Sequence, residues 1–304
     1  MASNVNVTET IIITPSEPTP NHVLRLSALD SKLFARFVTD YMFVYEPRHG
    51  ADQAAITENV KTALSRALVP YYPLSQLGRR DRPGPVWARA RPEARLGPSL
   101  AGPGPARGSR PGDSPGVLGE MKDLLKPRRH TSFEVLAGHV WRSWARALGL
   151  APEQRVRVFF GINVRERMRP GLPTGFYGNG VVHVCAEASA GELAGNGLGF
   201  AAGLVARAKE GVGEERVREV VESVSSKWEQ VEFVGTLILT QWSRLGLEMV
   251  DFGLGRPVQV SPVCSGRFCT FLPVHGVENA VKVNLGVPVT ALDQYLSFVK
   301  NINE

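Results

Sequence analysis

The sequence contains few cysteines, and they follow no recognisable spacing. Only three occur in 304 residues, an odd number: Cys185, Cys264 and Cys269. Small secreted proteins use paired cysteines, and structural metal sites use closely spaced ones. We therefore expect free thiols in a reducing compartment and no resident metal.

Long apolar segments are also missing. The longest runs, 199–206 and 233–239, are far shorter than the roughly 20 residues that a membrane-spanning helix needs. Residues 1–10 have neither the basic start nor the apolar core of a signal peptide. The expectation is a cytoplasmic protein without a membrane span.

Basic charge is concentrated in one segment instead of being spread over the chain. The formal net charge is +6, yet residues 78–116 hold eight arginines against three acids, which leaves about +1 for all other residues. The same segment holds eight prolines and eight glycines and shows no apolar periodicity. Because such a composition cannot bury enough surface to offset the cost of ordering it, we predict that 78–116 is disordered.

Three interpretations of this segment are open. Its arginines would attract nucleic-acid phosphates, but no aromatic interleaving or motif accompanies them, so a solvated linker without a nucleic-acid partner is favoured. The arginine, proline, glycine and alanine bias is also what GC-rich codons yield when they are read in a wrong frame. The third interpretation is therefore out-of-frame or mis-spliced sequence that replaces part of a domain.

The remaining sequence has the mixed periodicity of an α/β protein. Apolar residues four apart predict a helix over 51–68, and similar patterns predict helices over 132–148 and 192–207. β-Branched residues predict a strand over 5–14. Further strands are predicted at 156–164, 181–185, 235–241, 258–260, 268–273 and 280–287, and further helices at 214–228 and 291–300.

Five short boxes along the chain carry a family resemblance. The most informative is Asp251-Phe252-Gly253-Leu254-Gly255, near the C-terminus. The others, in chain order, are 26–30 (LSALD), 69–74 (VPYYPL), 131–136 (TSFEVL) and Asn163-Val164-Arg165. Together they resemble the plant BAHD acyl-CoA-dependent acyltransferases, with Leu254 in place of the tryptophan in the family's Asp-Phe-Gly-Trp-Gly signature.

The resemblance implies an α/β protein of two chloramphenicol-acetyltransferase-like domains with mixed sheets. Residues 1–77 would form an incomplete N-terminal domain, 78–116 would interrupt it, and 117–304 would hold mainly the C-terminal domain. Family members transfer an acyl group from a CoA thioester to an alcohol. In the branch that this chain resembles, the acyl group is a hydroxycinnamoyl group. Acyl-CoA would thus be a co-substrate, and no resident cofactor is expected. The chain is expected to be a monomer.

The resemblance also implies roles for single residues. The signature, Asp251 to Gly255, is structural, and Asp251 is implied to pair with Arg165 as a brace of the C-terminal domain, since a buried carboxylate needs such a partner. The family's general base lies in a His-x-x-x-Asp motif between the boxes at 69–74 and 131–136. These 304 residues contain no such motif.

His130 is the candidate for a replacement base. It is followed four residues later by Glu134, which mimics the motif with a longer carboxylate. A structural role is favoured, because Glu134 fits the first turn of the next helix, where a carboxylate complements the helix dipole. The catalytic residue therefore stays unassigned among this and the other histidines: His22, His49, His139, His183 and His275.

Two function classes stay open, an acyltransferase and a non-catalytic protein that binds acyl-CoA.

Overall fold

The structure, a computed structural model, divides the chain into two compact units. Unit 1 comprises Met1–Arg25, Val44–Arg91 and Met249–Val258, and unit 2 comprises Leu26–Phe43, Pro92–Glu248 and Gln259–Glu304. The described residues are 11–21, 41–46, 50, 52–75, 116–169, 171–176, 178–222, 235–262 and 268–302. The domain bounds inferred from the sequence stay a prediction, and most of the segment predicted to be disordered lies outside the described residues.

Groups of helices and groups of strands follow one another along the described chain. The strands are β1 (Tyr41–Val44), β2 (Arg155–Asn163), β3 (Val181–Ser189), β4 (Thr236–Gln241), β5 (Gln259–Pro262), β6 (Phe268–Val274) and β7 (Val277–Asn284). The α-helices are α1 (Gln53–Ala67), α2 (Tyr72–Ser75), α3 (Val117–Leu124), α4 (Ser132–Ala147), α5 (Ala190–Gly195), α6 (Leu198–Glu210), α7 (Glu214–Glu222) and α8 (Leu292–Lys300).

A five-stranded mixed sheet forms the centre of unit 2. Its strand order is β3-β2-β4-β6-β7. β2, β4 and β6 run parallel to one another, whereas β3 and β7 pair antiparallel with their neighbours. Parallel neighbours need a long crossover, and the connection from β2 to its parallel neighbour β4 runs through β3, α5, α6 and α7. β1 and β5 form a second sheet of two strands.

The two faces of the five-stranded sheet differ in what they carry. On the inner face, Val158, Phe160 and Phe271 are almost completely buried in a core that also includes residues of α4, α6 and α8. Because successive side chains of a strand point to opposite faces, the residues between them lie on the other side, which we call the outer face. It carries, among others, Phe159, Thr240, Thr270, Lys282 and Asn284.

Helix α4 is the central helix of unit 2, and its sequence explains its start. The Thr131 hydroxyl accepts a hydrogen bond from the Glu134 amide, and the Glu134 carboxylate accepts one from the Thr131 amide, so both free donors are satisfied. Farther along, Gly138 lets α4 approach α6 closely. A Cβ at Gly138 would lie 2.7 Å from the backbone nitrogen of Ala202.

Two of the predictions differ from the structure. Of the strand predicted over 5–14, residues 5–10 lie outside the described residues. Residues 11–14 form no strand, because this segment is tied instead to α1: the Ser65 hydroxyl donates to the Thr14 carbonyl at 2.6 Å. The single helix over 192–207 is two helices, since α5 ends at Gly195 and α6 begins at Leu198. The buried Arg142 guanidinium fixes this break by donating to carbonyl oxygens at the end of α5.

The sequence patterns also missed three elements, β1, α2 and α3. Of the helices within the described ranges, none has the length and hydropathy that crossing a bilayer requires.

Candidate functional site

The signature loop in unit 1 is organised around the side chain of Asp251. One carboxylate oxygen accepts hydrogen bonds from the amides of Gly253, at 2.7 Å, and Gly255, at 2.8 Å. Both glycines have positive φ angles, 98° and 89°, which L-residues with a side chain rarely adopt. The Asp-x-Gly-x-Gly pattern is therefore explained locally, since the aspartate holds a loop that needs glycine at both positions.

Tyr45 anchors this loop from the segment that follows β1. Its hydroxyl donates to the carbonyl oxygen of Val250 at 3.0 Å, and its ring meets Phe252 edge-on, with 6.0 Å between ring centroids. Burial, together with the nearby Asp251 carboxylate, raises the pKa of Tyr45, which keeps the phenol protonated as a donor. Sequence reasoning missed Tyr45, because no local pattern indicates a contact across 205 residues.

The sequence predicts a buried carboxylate at Asp251. This prediction is wrong, because Asp251 is exposed. The amides of Gly253 and Gly255 satisfy one oxygen of this carboxylate. The pairing of Asp251 with Arg165 stays a prediction. The structure places the former in unit 1 and the latter in unit 2.

Arg165 itself fastens the loop between β2 and β3. Its guanidinium donates to the Gly178 carbonyl at 2.8 Å, and its backbone amide donates to the Asn163 side chain at 3.1 Å. The side chain runs over Gly180, where an added Cβ would lie 2.6 Å from its Cγ. The Asn-x-Arg box thus shapes its own loop.

His130 and Glu134 are brought together at the start of α4. The His130 Nδ1 lies 3.4 Å from a Glu134 carboxylate oxygen, and both side chains are more than nine-tenths buried. The carboxylate is already engaged, because it forms an ion pair with Lys209 of α6 and accepts the Thr131 amide. Burial opposes ionisation, but these hydrogen bonds outweigh it and lower the pKa of Glu134. The arrangement is that of a helix start tied to a second helix.

The other described histidines lie on different elements of the fold. His139 is buried on α4, and its Nε2 donates to the Val299 carbonyl of α8 at 2.8 Å. Burial and the Arg142 charge lower the pKa of His139, although the hydrogen bond acts in the opposite direction. His183 is exposed on β3, and His275 is exposed in the turn between β6 and β7. The remaining two, His22 and His49, lie outside the described residues.

A polar and aromatic group lies at the end of β4. The Trp242 indole donates to the Thr240 hydroxyl at 2.7 Å, and Tyr41 stacks on the indole with 4.1 Å between ring centroids. Burial raises the pKa of Tyr41, so this phenol stays protonated. Sequence reasoning did not single out Tyr41, whose only signal is its place in an alternating stretch before Tyr45.

Residues that could hold a metal are not clustered in the part of the chain that the structure describes. Within it, no three side chains of histidine, cysteine, aspartate or glutamate stand close enough to share an ion. The two cysteines it includes, Cys185 and Cys269, are free thiols.

Comparison with known proteins identifies the family. The family model described as "Transferase family" matches residues 3–82 and 119–296. The chain belongs to this BAHD transferase family. The matched ranges leave only 83–118 between them, which lies almost entirely within the arginine-rich segment.

Two curated relatives from Arabidopsis thaliana match the chain over part of their length. The chain is 35% identical to the omega-hydroxypalmitate O-feruloyl transferase of Arabidopsis thaliana, over 58% of this chain and 39% of that protein. It is 34% identical to the fatty alcohol:caffeoyl-CoA acyltransferase of the same plant, over 57% of this chain and 41% of that protein. The chain thus spans about two fifths of the length of these relatives.

A solved BAHD structure confirms the fold class. The crystal structure of vinorine synthase matches with a TM-score of 0.65, covering 95% of this chain and 97% of that chain, at 15% sequence identity. The similarity at this identity shows the fold alone. The α/β prediction, with mixed sheets of the chloramphenicol-acetyltransferase type, is confirmed.

Proposed function

We propose that this chain uses a hydroxycinnamoyl-CoA thioester as acyl donor and an aliphatic alcohol as acceptor. The proposal is carried by sequence similarity to two relatives that are named for feruloyl and caffeoyl transfer. The chain is 35% identical to the first and 34% identical to the second over the matched residues. The donor is a co-substrate, and no resident cofactor is needed for acyl transfer between a thioester and a hydroxyl. A cytoplasmic monomer is the expected form.

Transfer by this chain is expected to be slow. These 304 residues contain no His-x-x-x-Asp motif, so the family's general base has no counterpart. Loss of general-base catalysis typically lowers a rate by about two to four orders of magnitude. Binding and orientation of the two substrates would remain, and they accelerate bimolecular reactions without a base.

The test is an assay with feruloyl-CoA and a long-chain alcohol, followed by mass detection of the ester. We expect ester formation above a protein-free control, at about 100-fold to 10,000-fold below the rate of a relative with the complete motif. The absence of any ester above the protein-free control would contradict the transferase proposal. Equilibrium dialysis of the same donor in the same buffer measures binding separately.

Binding without turnover is the second candidate function. The missing motif favours it, because a protein that keeps donor contacts but lacks a base would sequester acyl-CoA. Saturable binding of feruloyl-CoA with no ester formed would support this candidate, and no binding at millimolar donor would contradict both candidates.

His130 is the residue to test as a replacement base. Because Glu134 is engaged by the helix cap and by Lys209, we expect His130→Gln to leave the transfer rate within about twofold of the unchanged chain. A loss of about 100-fold or more, with an unchanged melting temperature, would assign the base to His130 instead. His183→Gln is the matched control, since it replaces an exposed histidine on a strand of the same unit.

A further inference from the structure

Strand β3 is an edge strand of unit 2's sheet that lacks the features by which edge strands are usually protected. Among the described strands of this sheet, β3 and β7 lie at the two edges. β7 has an irregular register with β6 at Pro273 and Val274, and it carries Lys282. A bulge and a lysine both hinder pairing with another chain. β3 contains neither lysine nor proline, and all nine of its residues pair with β2 without a shift.

The hydrogen bonds next to this pairing show which backbone groups of β3 point outward. The Val164 amide donates to the Gly180 carbonyl at 2.8 Å, and these two residues continue the register of β2 with β3. Because hydrogen-bonded pairs alternate with other pairs in an antiparallel ladder, the even-numbered residues of β3 bond to β2. The odd-numbered residues, among them Cys185 and Glu187, direct their amides and carbonyls to the outer edge. Within the described part of the chain, no backbone hydrogen bond engages Cys185 or Glu187 at that edge.

The sequence of β3 is complementary to a second copy of the same strand that runs in the opposite direction. A two-fold axis at Cys185, the central residue, pairs all nine residues with those of the partner. The odd-numbered side chains lie on the outer face of the sheet. There, His183 comes to lie opposite the partner's Glu187, so no two β3 side chains of like charge face each other. The Glu187 carboxylate is held on this face by ion pairs with Arg155, at 3.0 Å, and with Arg157.

On the inner face, the same axis sets small side chains opposite β-branched ones. Val182 lies opposite the partner's Ala188, and Val184 lies opposite the partner's Ala186. An axis at Glu187 would instead set two carboxylates opposite each other, which is destabilising. It would also leave the first residues of β3 unpaired. The order of residues in β3 therefore favours the central axis.

We propose that two copies of this chain form a dimer by pairing the outer edges of β3, antiparallel and about a two-fold axis at Cys185. The two five-stranded sheets then continue into each other across the interface, with main-chain hydrogen bonds between the copies. This dimer is a property of unit 2 and does not depend on the proposed acyl transfer. It replaces the monomer that the family resemblance implies.

The first test measures the mass of the full chain and the neighbourhood of Cys185. Sedimentation velocity over a concentration series should show a dimer that dissociates on dilution. Directly opposite residues of a hydrogen-bonded antiparallel pair have Cα atoms about 5.5 Å apart. Dibromobimane, which bridges two neighbouring thiols, should therefore link Cys185 to the partner's Cys185, as peptide mapping by mass spectrometry would show. The buried Cys269 should stay unmodified.

Hydrogen exchange resolved to single amides tests the pairing itself. The amides of Cys185 and Glu187 should exchange more slowly in the concentrated dimer than in the dilute monomer, because they gain partners across the interface. The amides of Val184 and Ala186 should be equally protected in both, since they bond to β2. A dimer formed through any other surface does not produce this alternation.

The matched variants are Cys185→Lys and His275→Lys. The first sets two lysines opposite each other at the axis, and we expect the dissociation constant of the dimer to rise about tenfold or more. The second adds the same charge in an exposed turn of the same unit and should leave the constant unchanged. A monomer at every concentration would overturn the inference, and so would a dimer in which Cys185 carries bimane without a bridge or in which the alternating protection is absent. The bridge and the exchange pattern are measured on the unchanged chain, so they decide the matter even if Cys185→Lys does not fold.

Discussion

At Asp251, one carboxylate oxygen organises the signature loop. It accepts the amides of two glycines with positive φ angles, and Tyr45 holds the start of the same loop through the Val250 carbonyl. The family signature could be found from the sequence because the loop encodes it within five residues. The anchor could not be found, because it comes from a distant segment with no pattern of its own.

Substitution of Asp251 separates the loop role from the brace that the resemblance implies. Asp251→Ala removes the oxygen that accepts from both glycine amides, and we expect a loss of about 1–2 kcal/mol in the free energy of unfolding. Asp251→Asn keeps one carbonyl oxygen for the glycine amides and loses only the charge, so a loop role predicts a smaller loss. Urea denaturation of both variants, with hydrogen exchange at residues 249–258, measures the difference.

The brace is then tested by combining Asp251→Asn with Arg165→Gln. If the two side chains pair, their effects on unfolding are coupled by at least about 0.5 kcal/mol. Additive effects of the two single changes would remove the brace and leave two independently held loops.

Among the elements, those with local causes were predicted well. Helix α4 carries its own cap and apolar stripe, and its predicted span, 132–148, differs from the observed one by a single residue. The division between α5 and α6 could not be predicted, because Arg142 caps α5 from 51 residues away. The short strand β1 was missed for a similar reason, since it exists through pairing with β5.

The contact of α4 with α6 predicts opposite effects for two glycines. Gly138→Ala would place a Cβ 2.7 Å from backbone of α6, which cannot move alone, and we expect a cost of about 1–3 kcal/mol. Gly203→Ala on α6 meets only the flexible end of Arg207, at 3.6 Å, and alanine favours the helix by up to about 1 kcal/mol. Thermal unfolding measures both, and a lower melting temperature for Gly203→Ala would contradict the packing described.

His139 joins α4 to α8, and its titration predicts that the free energy of unfolding depends on pH. The pKa of His139 is lowered from 6.5 in the folded state, so the unfolded chain binds this proton more readily. The stability contribution is therefore present above about pH 6.5 and is lost as the pH falls through the folded pKa. Glu134, whose pKa is lowered from 4.5, loses its contribution at more acidic pH.

His139→Gln is the variant that tests this dependence, because its amide can still donate to the Val299 carbonyl but does not titrate. We expect the free energy of unfolding of this variant to change less between pH 7 and pH 5.5 than that of the unchanged chain. Parallel pH profiles would show that His139 does not set the dependence.

For the whole molecule, the residues that show family membership lie on both sides of the arginine-rich segment. The family model matches both sides of 83–118, and the structure shows the α/β architecture in the matched part. The boxes at 69–74 and 131–136 bound the interval where the family's His-x-x-x-Asp motif is expected. Between them lie the arginine-rich residues 78–116, with eight prolines and eight glycines.

Out-of-frame reading of this interval makes a prediction at the level of the gene. Because GC-rich codons in a wrong frame yield arginine, proline, glycine and alanine, we expect another frame of the transcript across 78–116 to encode a His-x-x-x-Asp motif flanked by alternating, strand-like sequence. Sequencing the transcript and translating it in three frames is the measurement. If neither other frame contains the motif or strand-like sequence, the out-of-frame interpretation fails. If the motif appears, a chain with the restored frame should regain about 100-fold to 10,000-fold in the ester-forming assay, since that is the range that general-base catalysis supplies.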